Sequence, residues 1–507
     1  AMSPGPVAPR PAPDVQRPPA SASGRTWPLV VAMAAAATLG WLPFVGRDVG
    51  PDEGGLLLVA AQWAPGSSVY GDYFVDRPPV LLALVAAAEH LGGLVGLRLL
   101  GALAVVACVL LAGLVGRIAA PGTRRGPLMA AGAAAALTAT PLFGGTVVDA
   151  EILGVPFLLA GTAATLAALT APDARRAALL GALAGAAAVA AALTKQNLLD
   201  VGVLLAALAV TGLLARRGAA RLRPLLAGAV AGGLAALVLA LVGAAARGTG
   251  PVELWRAVVT FRSQAGRVIA TADPPSSADR FVVMLVALLA SGAPLLLAAL
   301  APSLRRAVPL GPDRLDLRWA AAAVLAWECV GVALGGSYWL HYLTGLVPGI
   351  VLVAALAART PPRSPGWRRR ALVTAYAGTA LSAAVAVGWV GVHPIERSEL
   401  AVSAWLVDHG RPGDTAVVAF GEPNVLWAAG MSSPYEQLWS LPVRVSDPDL
   451  RELAAVLEGP RRPTWLVVAG RSLLTWGVDP DAAEPAVAAH YREVAVVAGY
   501  TVLEVRR

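Results

Sequence analysis

Residues 46–80 read GRDVGPDEGGLLLVAAQWAPGSSVYGDYFVDRPPV. The stretch follows the first long apolar run and opens with an adjacent acid pair, Asp52 and Glu53. A short amphipathic turn of helix is expected next, then a Gly/Ser/Tyr-rich loop with Asp72 and Asp76, closed by Arg77-Pro78-Pro79. Carboxylates and an arginine are expensive to hold beside lipid, so at the mouth of a membrane protein such a set points to function. A solvated loop whose charges are idle is the competing reading.

The surrounding chain supplies the membrane. Hydrophobic residues make up 57% of the 507 and charged residues 14%, and apolar runs long enough to span a bilayer recur throughout. The formal charge of +8 does not point to nucleic acid, because most arginines sit in short clusters between apolar runs, as cytoplasmic loops do. The two cysteines, Cys108 and Cys329, both lie within apolar runs and imply no disulfide framework. Alanine, valine, leucine and arginine dominate, a composition expected of a GC-rich genome such as an actinobacterium's. Against that background stands a single lysine, Lys195.

Topology turns on residues 79–93. If this short segment crossed the bilayer, the clusters Arg124-Arg125, Arg175-Arg176 and Arg216 to Arg223 would all lie outside. If it rests in the outer leaflet, all lie inside, and the positive-inside rule selects that arrangement. Spans are then expected at 28–45, 95–117, 128–143, 152–170, 177–194, 198–215, 225–246, 281–301, 319–335, 343–358 and 371–391, with a cytoplasmic amino terminus and an outer carboxyl terminus. The expected fold class is an α-helical polytopic membrane protein of about 11 transmembrane helices with a small extracytoplasmic α/β C-terminal domain.

By domain, residues 1–27 read as a disordered cytoplasmic tail and 28–391 as the transmembrane part, with a first outer loop over 46–94. Residues 28–45 read as an anchor that is kept, because no small-residue cleavage pattern follows. Residues 392–507 form the outer α/β domain, with strands expected at 415–420 and 464–469, a helix in DPDLRELAAVLEG, and a strand pair in 493–506.

In this topology the polar residues that interrupt apolar runs collect on the outer face. The second outer loop carries Asp149 and Glu151; Lys195 and Gln196 follow the fifth span; the 247–280 loop contributes Arg262; and SYWLHY brings His341 and Tyr342. Each has a bland alternative. Asp149 could cap the helix entering at Ile152, Lys195 could snorkel or pair with Asp200, and His341, Tyr342 and Trp339 could form an interfacial belt.

A carboxylate pair with several cations at a membrane interface suits transfer from an anionic lipid-linked donor. When the donor is a polyprenyl-phosphate sugar, Arg77, Lys195, His341, Tyr342 and Arg262 are the candidates to stabilise the departing phosphate. Asp52 is the candidate general base, with Glu53 and Asp149 as further carboxylates of the catalytic set. Asp76, Glu151 and Gln196 are candidates for substrate binding. A divalent cation is possible, but no spacing demands one. The phosphate-loop signatures of nucleotide sites are missing from the sequence.

At these residues the chain resembles the GT-C superfamily of polytopic glycosyltransferases, in particular the group of the lipid A aminoarabinose transferase, protein O-mannosyltransferases and actinobacterial cell-envelope transferases. The resemblance rests on Asp52-Glu53 after the first span, YGDYFVDRPPVLL, Asp149-Ala150-Glu151, LTKQN and SYWLHYLTGLVPG, and covers about residues 28–360. It implies Asp52 as base and a polyprenyl-phosphate monosaccharide donor, and leaves the sugar and the acceptor (cell-wall glycan, lipid or protein) open; a single displacement at the donor would invert the anomeric carbon. The aminoarabinose transferase has lysine before Pro-Pro where this chain has Arg77, which alters how a phosphate is held. A lipid-linked sugar transporter, a non-catalytic envelope scaffold and a polymerase using lipid-pyrophosphate oligosaccharides are the rival classes. Glu328, an acid inside an apolar run, is the feature that favours transport.

Overall fold

The computed structural model describes residues 26–214, 219–271, 274–359, 366–475 and 477–506. Most of the expected amino-terminal tail, residues 1–25, lies outside them.

The membrane part is a helical bundle. Its elements are α1 (Trp27–Trp41), α2 (Pro51–Ala61), α3 (Pro79–His90), α4 (Leu94–Ala119), α5 (Arg125–Thr138), α6 (Ala150–Leu169), α7 (Ala174–Ala192), α8 (Asp200–Leu214) and α9 (Ala219–Ala245). There follow α10 (Pro251–Trp255), α11 (Phe261–Thr271), α12 (Pro274–Ala290), α13 (Ala293–Leu300), a two-residue hairpin of β1 (Pro309–Leu310) and β2 (Leu315–Asp316), α14 (Leu317–Ala333), a 3-10 turn (Leu340–Leu346), α15 (Val347–Ala357) and α16 (Gly366–Val392).

Each of the eleven expected spans holds a helix or a helix pair. Among the described residues, seven helices are long and apolar enough on their own to cross a membrane, and α12 with α13 forms a further segment broken by a 53° bend. The chain is therefore a multi-pass membrane protein. The segment after Pro79 is helix for only 12 residues, roughly 18 Å at ~1.5 Å per residue, well short of the ~30 Å hydrocarbon core. Its first turn is tied down by Val80 and Leu81, whose N–H groups donate to the Leu193 carbonyl.

The core sits on α4 and α15. Helix α4 packs against α1, α5, α6 and α15, and every residue of α15 is buried. A second tight seam joins α7 and α9, where GALAG (181–185) faces GAVAG (228–232). A Cβ added to Gly181, Gly185, Gly228 or Gly232 would collide with the backbone of the opposite helix. Lipid tails are as apolar as leucine, so helices in a bilayer gain from such backbone approach rather than from hydrophobic burial.

After α16 come α17 (Leu400–His409), β3 (Ala416–Ala419), α18 (Pro423–Ala429), α19 (Ser440–Ser446), α20 (Arg451–Glu458), β4 (Trp465–Ala469), α21 (Glu484–His490), β5 (Tyr491–Val497) and β6 (Tyr500–Val505). The sheet order is β3-β4-β6-β5, with β3 and β4 parallel and the rest antiparallel. Ala416–Ala419 and Trp465–Val468 are buried, which is why these central strands read as unbroken apolar runs. The β5–β6 turn needs two positive φ angles, at Ala498 (49°) and Gly499 (85°), the primed-turn geometry that matches strand twist.

Helix α2 departs from expectation. It is a three-turn helix buried at Glu53, Gly54, Gly55, Leu56, Leu57, Val59 and Ala60, not an amphipathic turn on a surface. The covering is α18: Gly54 abuts the Asn424 backbone, and Gly55 abuts the Trp439 ring and Pro423, so closely that any Cβ there would collide.

The α7–α9 seam makes a test. Gly232→Val is expected to force the helices apart and destabilise the protein by about 1–3 kcal/mol, read as a lowered Tm in detergent, whereas Gly243→Ala, with open space beside it, keeps Tm or raises it slightly through helix propensity. Equal Tm for the two variants would refute the tight seam.

Candidate functional site

Helix α2 opens at Pro51, whose fixed φ suits a first helical turn, and this sets Asp52 in the turn where the helix dipole favours an anion. Asp52 is half-buried. Its Oδ1 accepts a hydrogen bond from Trp439 Nε1 at 3.1 Å. Among the described residues its Oδ2 has no protein partner.

Glu53 is differently placed. It is fully buried, with Oε1 accepting from Arg98 Nε (3.1 Å) and Val148 N (3.0 Å) and Oε2 from Arg98 Nη2 (2.9 Å) and Gly50 N (3.0 Å). With four donors on two oxygens, this carboxylate has no room for a substrate proton. Its geometry is that of a structural ion pair.

Asp149 is the N-cap of α6, with Oδ1 accepting from Ile152 N at 3.1 Å. Burial, reinforced by neighbouring Glu151, pushes its carboxyl well above the usual aspartate value. At neutral pH it is therefore ionised less of the time than a solvated aspartate.

The cations form two connected groups. Asp76 sits between two guanidinium groups, Arg77 Nη1 at 3.0 Å and Arg262 Nη1 at 2.9 Å. Gln196 Nε2 donates to the Asp76 carbonyl at 2.7 Å, and Tyr70 OH donates to the Arg77 carbonyl at 2.6 Å. Burial works against the Arg77 charge, but Asp76, Asp52 and Glu151 outweigh it and hold the guanidinium above its usual value. In the second group Lys195 Nζ pairs with Glu151 Oε1 and lies 4.6 Å from the centre of the Tyr342 ring. His341 Nε2 stands 3.9 Å from the same Glu151 oxygen, and its ring packs edge-on against Tyr342. Glu151 Oε2 and Gln196 Oε1 are buried without a hydrogen-bond partner among the described residues.

The structure thus brings Asp52, Asp76, Arg77, Asp149, Glu151, Lys195, Gln196, Arg262, His341 and Tyr342 to one end of the bundle. Asp200 does not pair with Lys195. It lies beside Glu328, whose Oε1 accepts from Gly349 N at 2.6 Å, because α8, α14 and α15 converge there and Lys195 has turned to Glu151. Glu328 is thereby part of a helix–helix contact. Among the described residues no group of three His, Cys, Asp or Glu side chains is arranged to hold a metal ion.

Residues after 392 also reach this end, which no sequence motif foretold. Trp439 contacts Asp52, and Asn424 Nδ2 donates to the Val49 carbonyl (3.1 Å) and to Glu399 Oε1 (3.0 Å). The 66–78 loop is strapped on by Phe74 N to the Glu436 carbonyl (3.1 Å), Ser68 Oγ to Glu436 Oε1 (2.6 Å) and Ser433 N to Tyr73 OH (2.8 Å). Burial, with help from Glu399 and Asp52, pushes the Glu422 carboxyl up to about 7. Arg98 was equally invisible, as one arginine in an apolar run. The only available signal was its charge at a position that should face other helices.

Comparison with solved structures places this architecture. The chain resembles ArnT from Cupriavidus metallidurans bound to undecaprenyl phosphate, with a TM-score of 0.65 and 16% identity over 95% of this chain and 98% of that one. The apo form of the same protein gives a TM-score of 0.61 at 15% identity over the same shares. The likeness over nearly the full length of both chains is one of fold. No family model matches the sequence, and no curated protein matches it.

Two tests separate structure from chemistry here. Glu53→Gln leaves Arg98 buried without a counter-charge and is expected to cost about 3–5 kcal/mol of stability, seen as a large drop in Tm; an unchanged Tm would return Glu53 to the catalytic set. Glu422 has its folded pKa raised from 4.5 to about 7, so its stabilising contribution is complete below pH 4.5 and is lost as pH rises through 7. Glu422→Gln should flatten the fall of Tm across that window, and an unaltered pH profile would contradict the assignment.

Proposed function

We propose that this protein is a membrane glycosyltransferase that moves a monosaccharide from a polyprenyl-phosphate donor to a cell-envelope acceptor, with inversion and with Asp52 as general base. One observation carries the reading: Asp52, the Arg77–Asp76–Arg262 group and the Lys195–Glu151–His341 group come from separate parts of the chain and meet at one end of a lipid-embedded bundle. The GT-C fold, and the undecaprenyl phosphate bound by the ArnT neighbour, support it.

In this reading the acceptor hydroxyl attacks the anomeric carbon from the face opposite the phosphate. A new glycosidic C–O bond forms as the bond to phosphate oxygen breaks, and polyprenyl phosphate leaves with the electron pair. The hydroxyl proton passes to Asp52 Oδ2, the oxygen left open when Trp439 occupies Oδ1. Arg77 and Arg262 are fixed on Asp76 and present their remaining N–H groups to the phosphate, as guanidinium forks do. Lys195 is held by Glu151 and Tyr342, so its charge is preorganised but partly neutralised, and a phosphate must share it with Glu151. The proposed orientation puts the arginine-rich loops in the cytoplasm and residues 392–507 outside. Those outer residues then wall the site and are the natural surface for the acceptor.

The experiment uses purified protein in detergent with a panel of synthetic polyprenyl-phosphate sugars and candidate acceptors. Asp52→Asn is expected to lower turnover by about 10²–10⁴-fold while donor binding and Tm persist. Trp439→Phe, which keeps the ring and loses the N–H, is expected to reduce turnover by about 5–10-fold, in line with one hydrogen bond of about 1 kcal/mol. Full turnover by Asp52→Asn would overturn the base, and failure of the wild type to bind any polyprenyl phosphate would overturn the donor class.

A further inference from the structure

The charge at the other end of the bundle is unaccounted for by this site. Arg125 begins α5, whose far end leads to Asp149; Arg359 follows α15, whose opposite end continues from the 3-10 turn that carries His341; Arg368 and Arg369 lie in the first turn of α16. With Arg305 and Arg306 after α13, these six arginines edge a cavity of about 2120 Å³ between α1, α5, α13 and α16. That is about twice the ~1,000 Å³ at the upper end for drug-sized ligands. Its floor is small residues of α5, Gly132, Ala135 and Ala136, and its walls include Met33, Leu39 and Val387. Both Arg368 and Gly388 of α16 line it, so it runs about 30 Å at ~1.5 Å per residue, close to the full depth of a bilayer's hydrocarbon core.

The six guanidinium groups have no carboxylate partner among the described residues. Arg359 adds an observation of its own: its Nη1 is buried and has no hydrogen-bond partner there. Desolvation lowers the Arg359 pKa, the response of a cation placed where a counter-charge is missing. Buried guanidinium donors left unpaired are costly, and phosphate oxygens match their fork geometry.

We propose that this groove is a lipid-binding site for a phospholipid carrying two phosphates, with its headgroup on the arginine cluster and its acyl chains along α5 and α16. Charge complementarity selects the occupant. Six guanidinium groups without a carboxylate partner among the described residues exceed what one phosphate monoester or diester can engage, and basic pockets between transmembrane helices take diphosphate headgroups well. The breadth of the groove suits several acyl chains better than one isoprenoid. The site is separate from the Asp52 end and does not depend on the chemistry proposed there.

Native mass spectrometry of the full-length, delipidated protein tests this, titrating tetraoleoyl cardiolipin, dioleoyl phosphatidylglycerol, dioleoyl phosphatidylcholine and undecaprenyl phosphate. One cardiolipin is expected to bind roughly 5-fold or more tighter than phosphatidylglycerol, and phosphatidylcholine weakest. Arg306→Gln, an exposed change that leaves packing intact, and Arg359→Gln should each weaken cardiolipin by about 5-fold. Ala136→Phe, which fills the floor without altering charge, should weaken it too, with Tm measured in parallel to verify folding. Equal occupancy by all four lipids, insensitive to the arginine variants, would mean annular lipid only and would overturn the proposal. Preference for undecaprenyl phosphate over cardiolipin would overturn it as well, assigning the groove to a carrier lipid.

Discussion

A buried guanidinium–carboxylate pair, Arg98 with Glu53, is the joint on which the acid-bearing end of the bundle depends. Arg98 is 1% exposed and donates not only to Glu53 but to the carbonyls of Phe44, Val45, Arg47 and Asp48. Glu53 in turn accepts from Gly50 N and Val148 N. One ion pair thus pins the turn after α1, the start of α2, the start of α4 and the loop before α6. Such a pair contributes little net stability over a well-packed apolar substitute, because desolvation offsets the attraction. What it supplies is placement: Asp52 is the residue before Glu53, and Asp149 is the residue after Val148. The candidate base and the α6 cap are held in register by the same node.

The second constraint is how closely the residues after 392 approach α2. Gly54 and Gly55 lack the side chains that would keep Asn424 and Trp439 away. Removing Cβ atoms from two consecutive helical positions costs helix propensity, roughly 1 kcal/mol each. It permits a contact that converts Asp52 from an exposed helix-terminal acid into a half-buried one hydrogen-bonded to Trp439. The 66–78 loop is fastened on the same side through Glu436, Ser433 and Tyr73, so the Asp76–Arg77 step is oriented by chain distant in sequence. The two ends of the bundle then differ in kind. At one, carboxylates and cations are paired and preorganised; at the other, guanidinium groups edge an apolar groove and lack such partners among the described residues.

Much of this was legible without coordinates. Apolar run lengths and arginine spacing determined a multi-pass helical protein, and they marked the short charge-bearing segment after Pro79 as different from the long runs; it forms a helix of 12 residues. Residue type alone singled out Asp52, Arg77, Lys195 and His341, because a charge in or beside lipid is tolerated only where something answers it. Apolar strand runs and turn residues likewise marked β3, β4 and the final hairpin.

What only the tertiary structure decided is who answers whom. Two adjacent acids, Asp52 and Glu53, carry equal weight in the sequence, yet successive helical residues point about 100° apart, so one faces the bundle interior and Arg98 while the other faces the site and Trp439. Lys195 could meet Asp200 or Glu151, and the loop following α7 gave it to Glu151, leaving Asp200 to Glu328. Trp439 lies 387 residues from Asp52, and nothing local to either predicts their hydrogen bond. Composition and periodicity report the solvent each segment prefers, which is a local property. Pairing among buried charges depends on helix rotation and packing, which no local pattern carries.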